Sequence, residues 1–416
     1  MTFSLGERWR MRHRQHRLLR IPTEYHGHIP APELPISDLL NLSLPTIIQM
    51  DCVAKNTNIQ VFSSSLPISV DKGVLHSVPE LEVTQTLINM LGDALCDGMT
   101  SLSVPGINVP LPFWVLSFWE QMGKAIKVQQ HWSRADAWVR KYATSIHPKA
   151  AVARNALQIF GTLPWDLPLT GFVAGLSICE LAEFLSESLV NSNVVDAMMM
   201  SIAREVKCIP ELSRKVSVRD LTFSEVLHLP VERWQQYNSD RAFTKLRELG
   251  KALADGSLTQ IIIPFNIANI HWALFLVDAT AQQIRYGDSL GWSIPQDDVN
   301  RLNCWLHQHG FQSFEIGPLL PHGKQQDNYS CSVAMANIAR HTLFGDPLFN
   351  NADKHFYRIQ EFMNITLSKS APSNRISEFA DGSAGKCCVF LGPKECNRLP
   401  CALFHSTRKV DSGRRT

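Results

Sequence analysis

No uninterrupted apolar run of membrane-spanning length occurs in this 416-residue chain, whose most apolar long segment, Leu163 to Phe184, is broken by Pro164, Asp166, Pro168 and Glu180. About 20 continuous apolar residues are needed to cross a bilayer, so no membrane span is expected. A secretory apolar core is missing from the N-terminus, and the ten cysteines are scattered with no compact, even framework. Both absences point to an intracellular, reducing compartment, nucleus or cytoplasm. Charge of one sign is lacking too. The formal balance is +2, which excludes a global attraction to nucleic acid or membranes.

What remains is a mainly globular composition, 45% hydrophobic, on a chain long enough for two or three domains with a sizeable core. Residues 1–21 read as a basic N-terminal arm. Arg8, Arg10, Arg12, Arg14, Arg17 and Arg20, with His13 and His16 between them, make a local run suited to nuclear targeting or nucleic-acid contact, or simply a solvated terminus. Residues 22–170 read as a mainly helical accessory region. Prolines at 22, 30, 32, 35, 45 and 67 break its first part. An amphipathic helix is then expected over 80–97 and a longer one from about Pro112 through Tyr142. Its Trp114, Phe118, Met122, Ala125 and Ile126 recur at helical spacing and read as core.

Nothing in that region has the spacing of a metal, phosphate or catalytic site. The Pro- and Gly-rich stretch Leu163 to Gly175 makes a boundary, and residues 171–368 read as the catalytic domain. Beyond Lys369 the chain turns Ser-, Asn- and Gly-rich, so residues 369–416 are expected to be a low-order tail. Cys387, Cys388, Cys396, Cys401 and His405 in that tail lack a paired Cys-x2-Cys repeat, and neither a metal site nor a cofactor is expected.

Chemistry concentrates between His271 and Cys331. A turn-forming Asp327-Asn328 pair leads into Cys331, after which Val333, Met335, Ile338, Ala339 and Leu343 recur at roughly helical spacing. Cys331 therefore opens a helix, whose free N–H groups favour an anion, and a thiolate is a ready nucleophile. Upstream, residues 261–265 and 272–277 read as two buried strands around a short turn, with His271 opening the second. A third short strand, residues 283–286, ends at Asp288. A histidine at the start of one strand and a carboxylate at the end of its antiparallel neighbour can pair side by side and orient an imidazole. Further elements expected are a helix capped by Ser186 and running towards Ala203, a helix around Asp240 to Ala254, a helix from Pro295 to His309, a strand from Phe311 to Ile316 and a helix from Phe349 to Leu367. Cys304, between Leu302 and Trp305, is expected in apolar surroundings and is not a rival nucleophile.

His271-Trp272, Asp288-Ser289-Leu290 seventeen positions on, and Gln325 six positions before Cys331 resemble the ubiquitin-like-protein proteases, the family of the SUMO (sentrin) proteases and a relation of adenain. The likeness covers roughly residues 180 to 365. It implies an α+β, papain-like cysteine protease fold with a central, mainly antiparallel sheet and the Cys331 helix packed on it. It implies Cys331 as nucleophile, His271 as base, Asp288 as its orienting carboxylate and Gln325, at the right offset rather than Gln326, as oxyanion donor. Trp272 would cover a narrow channel for a Gly-Gly tail, and the partner would be a ubiquitin-like modifier or its conjugates.

Two positions depart from the family pattern. Ser330-Cys331-Ser332 stands where Asp-Cys-Gly is usual, and Phe184-Leu185-Ser186-Glu187 where Trp-Leu-x-Asp is usual. Phe184 would then be the second aromatic over the substrate tail. Two other readings use the same residues: a catalytically weakened homologue that binds a modifier or a nucleic acid, and an acetyltransferase built on the same thiol.

Overall fold

The computed structural model describes residues 14–49, 61–68, 70, 75–104, 109–169, 171–172 and 175–368. The basic run ahead of residue 14, the tail 369–416 and its cysteine cluster lie outside these residues. The described residues divide into two compact units, one formed by those from 14 to 134 together with 160–167, the other by 135–159 together with those from 168 to 368.

The first unit is organised by helix α1 (Leu81–Cys96) and the leading part of helix α2 (Trp114–Ala143). Leu87, Leu91 and Leu95 of α1 share a buried cluster with Val115, Trp119 and Met122 of α2, the i, i+4 stripe that the sequence predicts. Two short strand pairs flank it, Thr46–Ile48 beside Ser77–Pro79 and Phe62–Ser63 beside Ser101–Leu102. Trp165 ties the proline-rich entry segment down by donating its indole N–H to the Ala31 carbonyl at 2.7 Å.

The second unit is α+β, as expected. It contains helices α3 (Ala150–Phe160), α4 (Ile178–Phe184), α5 (Ser192–Lys207), α6 (Leu221–Leu227), α7 (Thr244–Ala254), α8 (Gln296–His307), α9 (Cys331–Phe344) and α10 (Lys354–Ser368). Five strands, β1 (Val216–Val218), β2 (Gln260–Ile267), β3 (His271–Asp278), β4 (Gln283–Gly287) and β5 (Glu315–Ile316), lie side by side in chain order. The long central strands β2, β3 and β4 are antiparallel, whereas both edge strands pair in parallel. Parallel neighbours need a crossover. Helices α6 and α7 supply it at one edge and α8 at the other.

Alternation along the strands separates two faces. Ile261, Ile263 and Phe265 of β2, Ala273, Phe275 and Val277 of β3, and Ile284 and Tyr286 of β4 share a cluster with Phe223, Leu246, Leu302, Trp305 and Leu306 from α6, α7 and α8. Helix α9 packs against β3, with α5 and α10 also against it. Its first ten residues, Cys331 through Arg340, are all buried. Because it is enclosed, its buried Arg340 is met by Glu205 and Glu361, and its buried Asn337 by the backbone of Pro347 and Phe349.

Several local expectations are corrected. Asn191, not Ser186, caps α5, its side chain accepting the Val194 N–H at 3.0 Å. Ser177 and Glu180 instead form a reciprocal capping box at the start of α4. The strand expected over Phe311 to Ile316 shrinks to Glu315–Ile316, because the Phe314 N–H is taken by the Asn303 side chain at 2.8 Å. Cys304 is exposed, since α8 turns Leu302, Trp305 and Leu306 inward and leaves residue 304 outside. Among the described residues no helix is long and apolar enough to cross a membrane.

Candidate active site

Strand pairing assembles the first two side chains. Between β2 and β3 the chain reverses through Ala268 and Asn269, both at positive φ (52° and 61°), with the Ile270 N–H donating to the Ile267 carbonyl at 3.1 Å. Turns of this hand match the twist of a hairpin. They leave His271 at the first position of β3. The β3–β4 register sets Leu274 opposite Gly287, so Asp288, the next residue, reaches back to the start of β3. His271 Nε2 and Asp288 Oδ1 are 3.0 Å apart, and both residues are only 2% exposed. The close approach of α9 behind this corner requires glycine at 287, where a Cβ would stand 2.9 Å from Ile338 Cγ2.

The Asp288 carboxylate is saturated with donors. Oδ1 also accepts the N–H groups of Leu290 (2.6 Å) and Gly291 (3.1 Å), and Oδ2 accepts the Tyr286 hydroxyl at 2.7 Å. Burial alone would raise its pKa, but hydrogen bonds from His271 and Tyr286 and the imidazolium charge hold it below the ordinary carboxylate value. For His271, burial opposes the charged form. The hydrogen bonds and charges of Asp288 and Cys331 outweigh it and raise the imidazole to about 9. With Nε2 engaged by Asp288, Nδ1 is the ring nitrogen left for the Cys331 thiol.

A second network shapes the loop that delivers Cys331. Asp327 Oδ1 accepts the N–H groups of Tyr329 (3.0 Å) and Ser330 (2.8 Å), and Oδ2 accepts the Ser330 hydroxyl (2.9 Å) and pairs with Lys354 Nζ (3.1 Å). This is the side-chain-closed turn that an Asp-Asn pair predicts. Buried Arg358 of α10 fastens the same loop, donating to the Tyr329 carbonyl (2.8 Å) and to the carbonyls of Phe184 (3.2 Å), Ser186 and Ser188 (2.9 Å). Burial lowers its pKa to about 10 despite nearby Tyr329, Asp327 and Cys331. Spacing carries no signal for Arg358, and sequence reasoning missed it.

Gln325 is held at three points. Its backbone N–H donates to the Ser289 carbonyl (3.0 Å), its Oε1 accepts the Ser289 hydroxyl (2.7 Å), and its Nε2 donates to the Asp327 carbonyl (2.9 Å). An amide nitrogen carries two hydrogens, and Asp327 takes one. Gln326 turns away to Asn351, which accepts its N–H at 2.9 Å.

The aromatic positions fall differently. Trp272 is 6% exposed within β3. Phe184, expected to clamp a substrate tail, is an interior ring, 2% exposed, at the end of α4 with the Arg358 guanidinium 5.3 Å over it. In this structure it braces the loop and is not open to a ligand. Trp292, which the sequence reading did not select, is 41% exposed and lies against His271 with ring centroids 4.7 Å apart. The signal available was its place four residues after Asp288, just beyond the turn glycine Gly291. Among the described residues no group of three or more side chains is arranged to hold a metal ion.

A thiol at a helix start, an imidazole whose charge it favours and a carboxylate behind the imidazole are the equipment of a cysteine peptidase. Residues 188–373 match the family described as the Ulp1 protease family, C-terminal catalytic domain. Over these residues the chain carries a cysteine-peptidase domain of the Ulp1 type. Among solved structures, the C-terminal Ulp1 protease domain in complex with Smt3, the yeast orthologue of SUMO, is 14% identical, covering 56% of this chain and 94% of that one at a TM-score of 0.39. The catalytic domain of the Chaetomium thermophilum Ulp1-like SUMO protease is 16% identical, covering 54% and 89% at 0.37. The Xanthomonas campestris effector XopD bound to ubiquitin is 18% identical, covering 42% and 92% at 0.30. No curated protein matches the sequence.

Proposed function

We propose that this peptidase cleaves after the C-terminal Gly-Gly of a SUMO-type ubiquitin-like modifier, releasing it from a precursor or a conjugate. The observation that carries the reading is the His271–Asp288 pair at 3.0 Å, with the imidazole in the electrostatic reach of Cys331 at the first residue of α9, inside a domain that matches the Ulp1 family. Cys331 attacks the glycine carbonyl after His271 has taken the thiol proton. The developing oxyanion is met by the second N–H of the Gln325 amide and by helix-start N–H groups at Cys331. His271, as imidazolium, then protonates the leaving amine, while Asp288 holds the ring and its charge. Water attacks the thioester, His271 acts again as base, and the free carboxylate departs. Trp272 walls the channel in which the glycines lie. The arginines between Arg8 and Arg20 support a nuclear site of action and a contact with nucleic acid.

A panel of ubiquitin-like modifiers carrying C-terminal electrophiles, reacted with the protein and with Cys331→Ala, tests the reading. Covalent capture of a SUMO-type modifier that vanishes in the variant is expected. No capture by folded, reduced protein would overturn it, and thiol labelling by acetyl-coenzyme A in place of capture would point to the acetyltransferase chemistry.

A further inference from the structure

We propose that Trp292, together with Leu290 and Ile270, forms an apolar subsite for the leaving segment of the substrate, the chain beyond the scissile bond. This deepens the peptidase reading and rests on it. Three large, exposed apolar residues flank the His271–Asp288 pair along the chain, and one of them, Trp292, touches the imidazole. Ile270, 67% exposed, immediately precedes His271, while Leu290 and Trp292, each 41% exposed, follow Asp288 by two and four positions. Single exposed apolar residues are ordinary, but three on the segments that carry a base and its carboxylate, one ring against the base itself, mark a contact surface.

General acid chemistry says which part of the substrate meets them. The amine that leaves must come within hydrogen-bond reach of the imidazole that protonates it. The chain attached to that amine therefore runs over whatever borders His271. The exposed ring bordering it is Trp292, tilted 46° to the imidazole with centroids 4.7 Å apart. Trp272 and Phe184 are both interior and leave this contact to Trp292.

The loop that presents the subsite is anchored by the catalytic pair's own carboxylate. The N–H groups of Leu290 and Gly291 both donate to Asp288 Oδ1, and Gly291 turns the chain at φ +74°. Position 291 suits glycine for that reason. The subsite is thus held in register with the proton donor. Its occupant is a hydrocarbon side chain in the first or second residue after the cleavage point. An acidic side chain there would lose water against Trp292, Leu290 and Ile270 without gaining a partner.

Fusions of a SUMO modifier ending in Gly-Gly and continuing with Leu-Leu or with Glu-Glu test this by the ratio of their kcat/KM values. A preference of about tenfold or more for the leucine fusion is expected, the scale that apolar pockets reach. Trp292→Ala should collapse the ratio towards one, and Trp292→Phe should keep most of it. The ratio is insensitive to uniform damage to His271. Equal losses on both fusions in Trp292→Ala, with the ratio intact, would mean that the ring only positions the imidazole, and would overturn the proposal. So would equal cleavage of both fusions by the native protein while an electrophilic modifier still captures Cys331. Failure of that capture as well would instead remove the peptidase reading, and the subsite with it.

Discussion

Replacing Asp288 by Asn removes one charge and little else. The Asn carbonyl can still accept the Leu290 and Gly291 N–H groups that Oδ1 now accepts, and its NH2 can donate to the Tyr286 hydroxyl that now donates to Oδ2. The His271 ring loses its counterion. In the native site burial disfavours the imidazolium, and the bonds and charges of Asp288 and Cys331 overcome this to raise its pKa from 6.5 to about 9. Without the carboxylate the burial remains, so the value should return to 6.5 or below. That fall corresponds to ~3 kcal/mol of lost imidazolium stabilisation. The assay is cleavage of a Gly-Gly fusion across neutral and alkaline pH. Native activity should hold until about pH 9 and decline beyond it, as His271 loses the proton it must give the leaving amine. In Asp288→Asn the alkaline limb should move down to around 6.5, with the maximal rate reduced on the order of 10²- to 10⁴-fold. Stability has the same sign. The raised pKa of His271 contributes fully below 6.5 and is lost as pH rises through about 9. The depressed pKa of Asp288 contributes above 3.8 and is lost as pH falls through its lowered value. The stability gap between native and variant should therefore be widest between those limits. An alkaline limb that stays near 9 in the variant would refute the reasoning.

Two further substitutions probe the supports of the site. At Gly323 an added Cβ would lie 1.7 Å from the Phe349 carbonyl oxygen, so Gly323→Ala must displace the loop two residues ahead of Gln325. Turnover should fall on the order of 10²-fold, as for loss of an oxyanion donor, with KM changed little; native kcat in this variant would show that Gln325 placement does not depend on the loop. Arg358→Met strips the donor from four carbonyls, those of Phe184, Ser186, Ser188 and Tyr329. Unpaired buried acceptors cost about 1–3 kcal/mol each; with three of the four bonds only part-buried the lower end applies, about 4 kcal/mol in all, so the melting temperature should drop by roughly 10 °C, and a drop of only a degree or two would mean that water takes the arginine's place.

Local signals decided much of the catalytic half. The turn before Cys331 was legible because Asp327 closes it with its own side chain onto N–H groups two and three residues ahead. The helix behind it followed from apolar spacing, and β2, β3 and β4 from apolar runs bounded by turn residues. The His271 and Asp288 positions followed from strand ends. The pairing register that makes them neighbours is a property of the whole hairpin, yet the order of the residues already allowed it.

Tertiary structure alone decided the rest. Phe184 reads in sequence as a substrate aromatic, but Arg358, 174 residues away along the chain, lies over it and ties its carbonyl. No local pattern announces a contact of that separation. Cys304 reads as buried beside Leu302 and Trp305, but the face a helix turns inward is set by the sheet it packs on, and residue 304 falls outside. Trp292 was not singled out by any sequence pattern, and only the fold sets it against His271. The sequence by itself determined which chemical groups the chain carries and which strands and helices hold them, because turns, caps and periodicity act over a few residues. Which of those groups face a substrate and which are sealed inside was decided only when distant segments packed, because burial is a property of the assembled core.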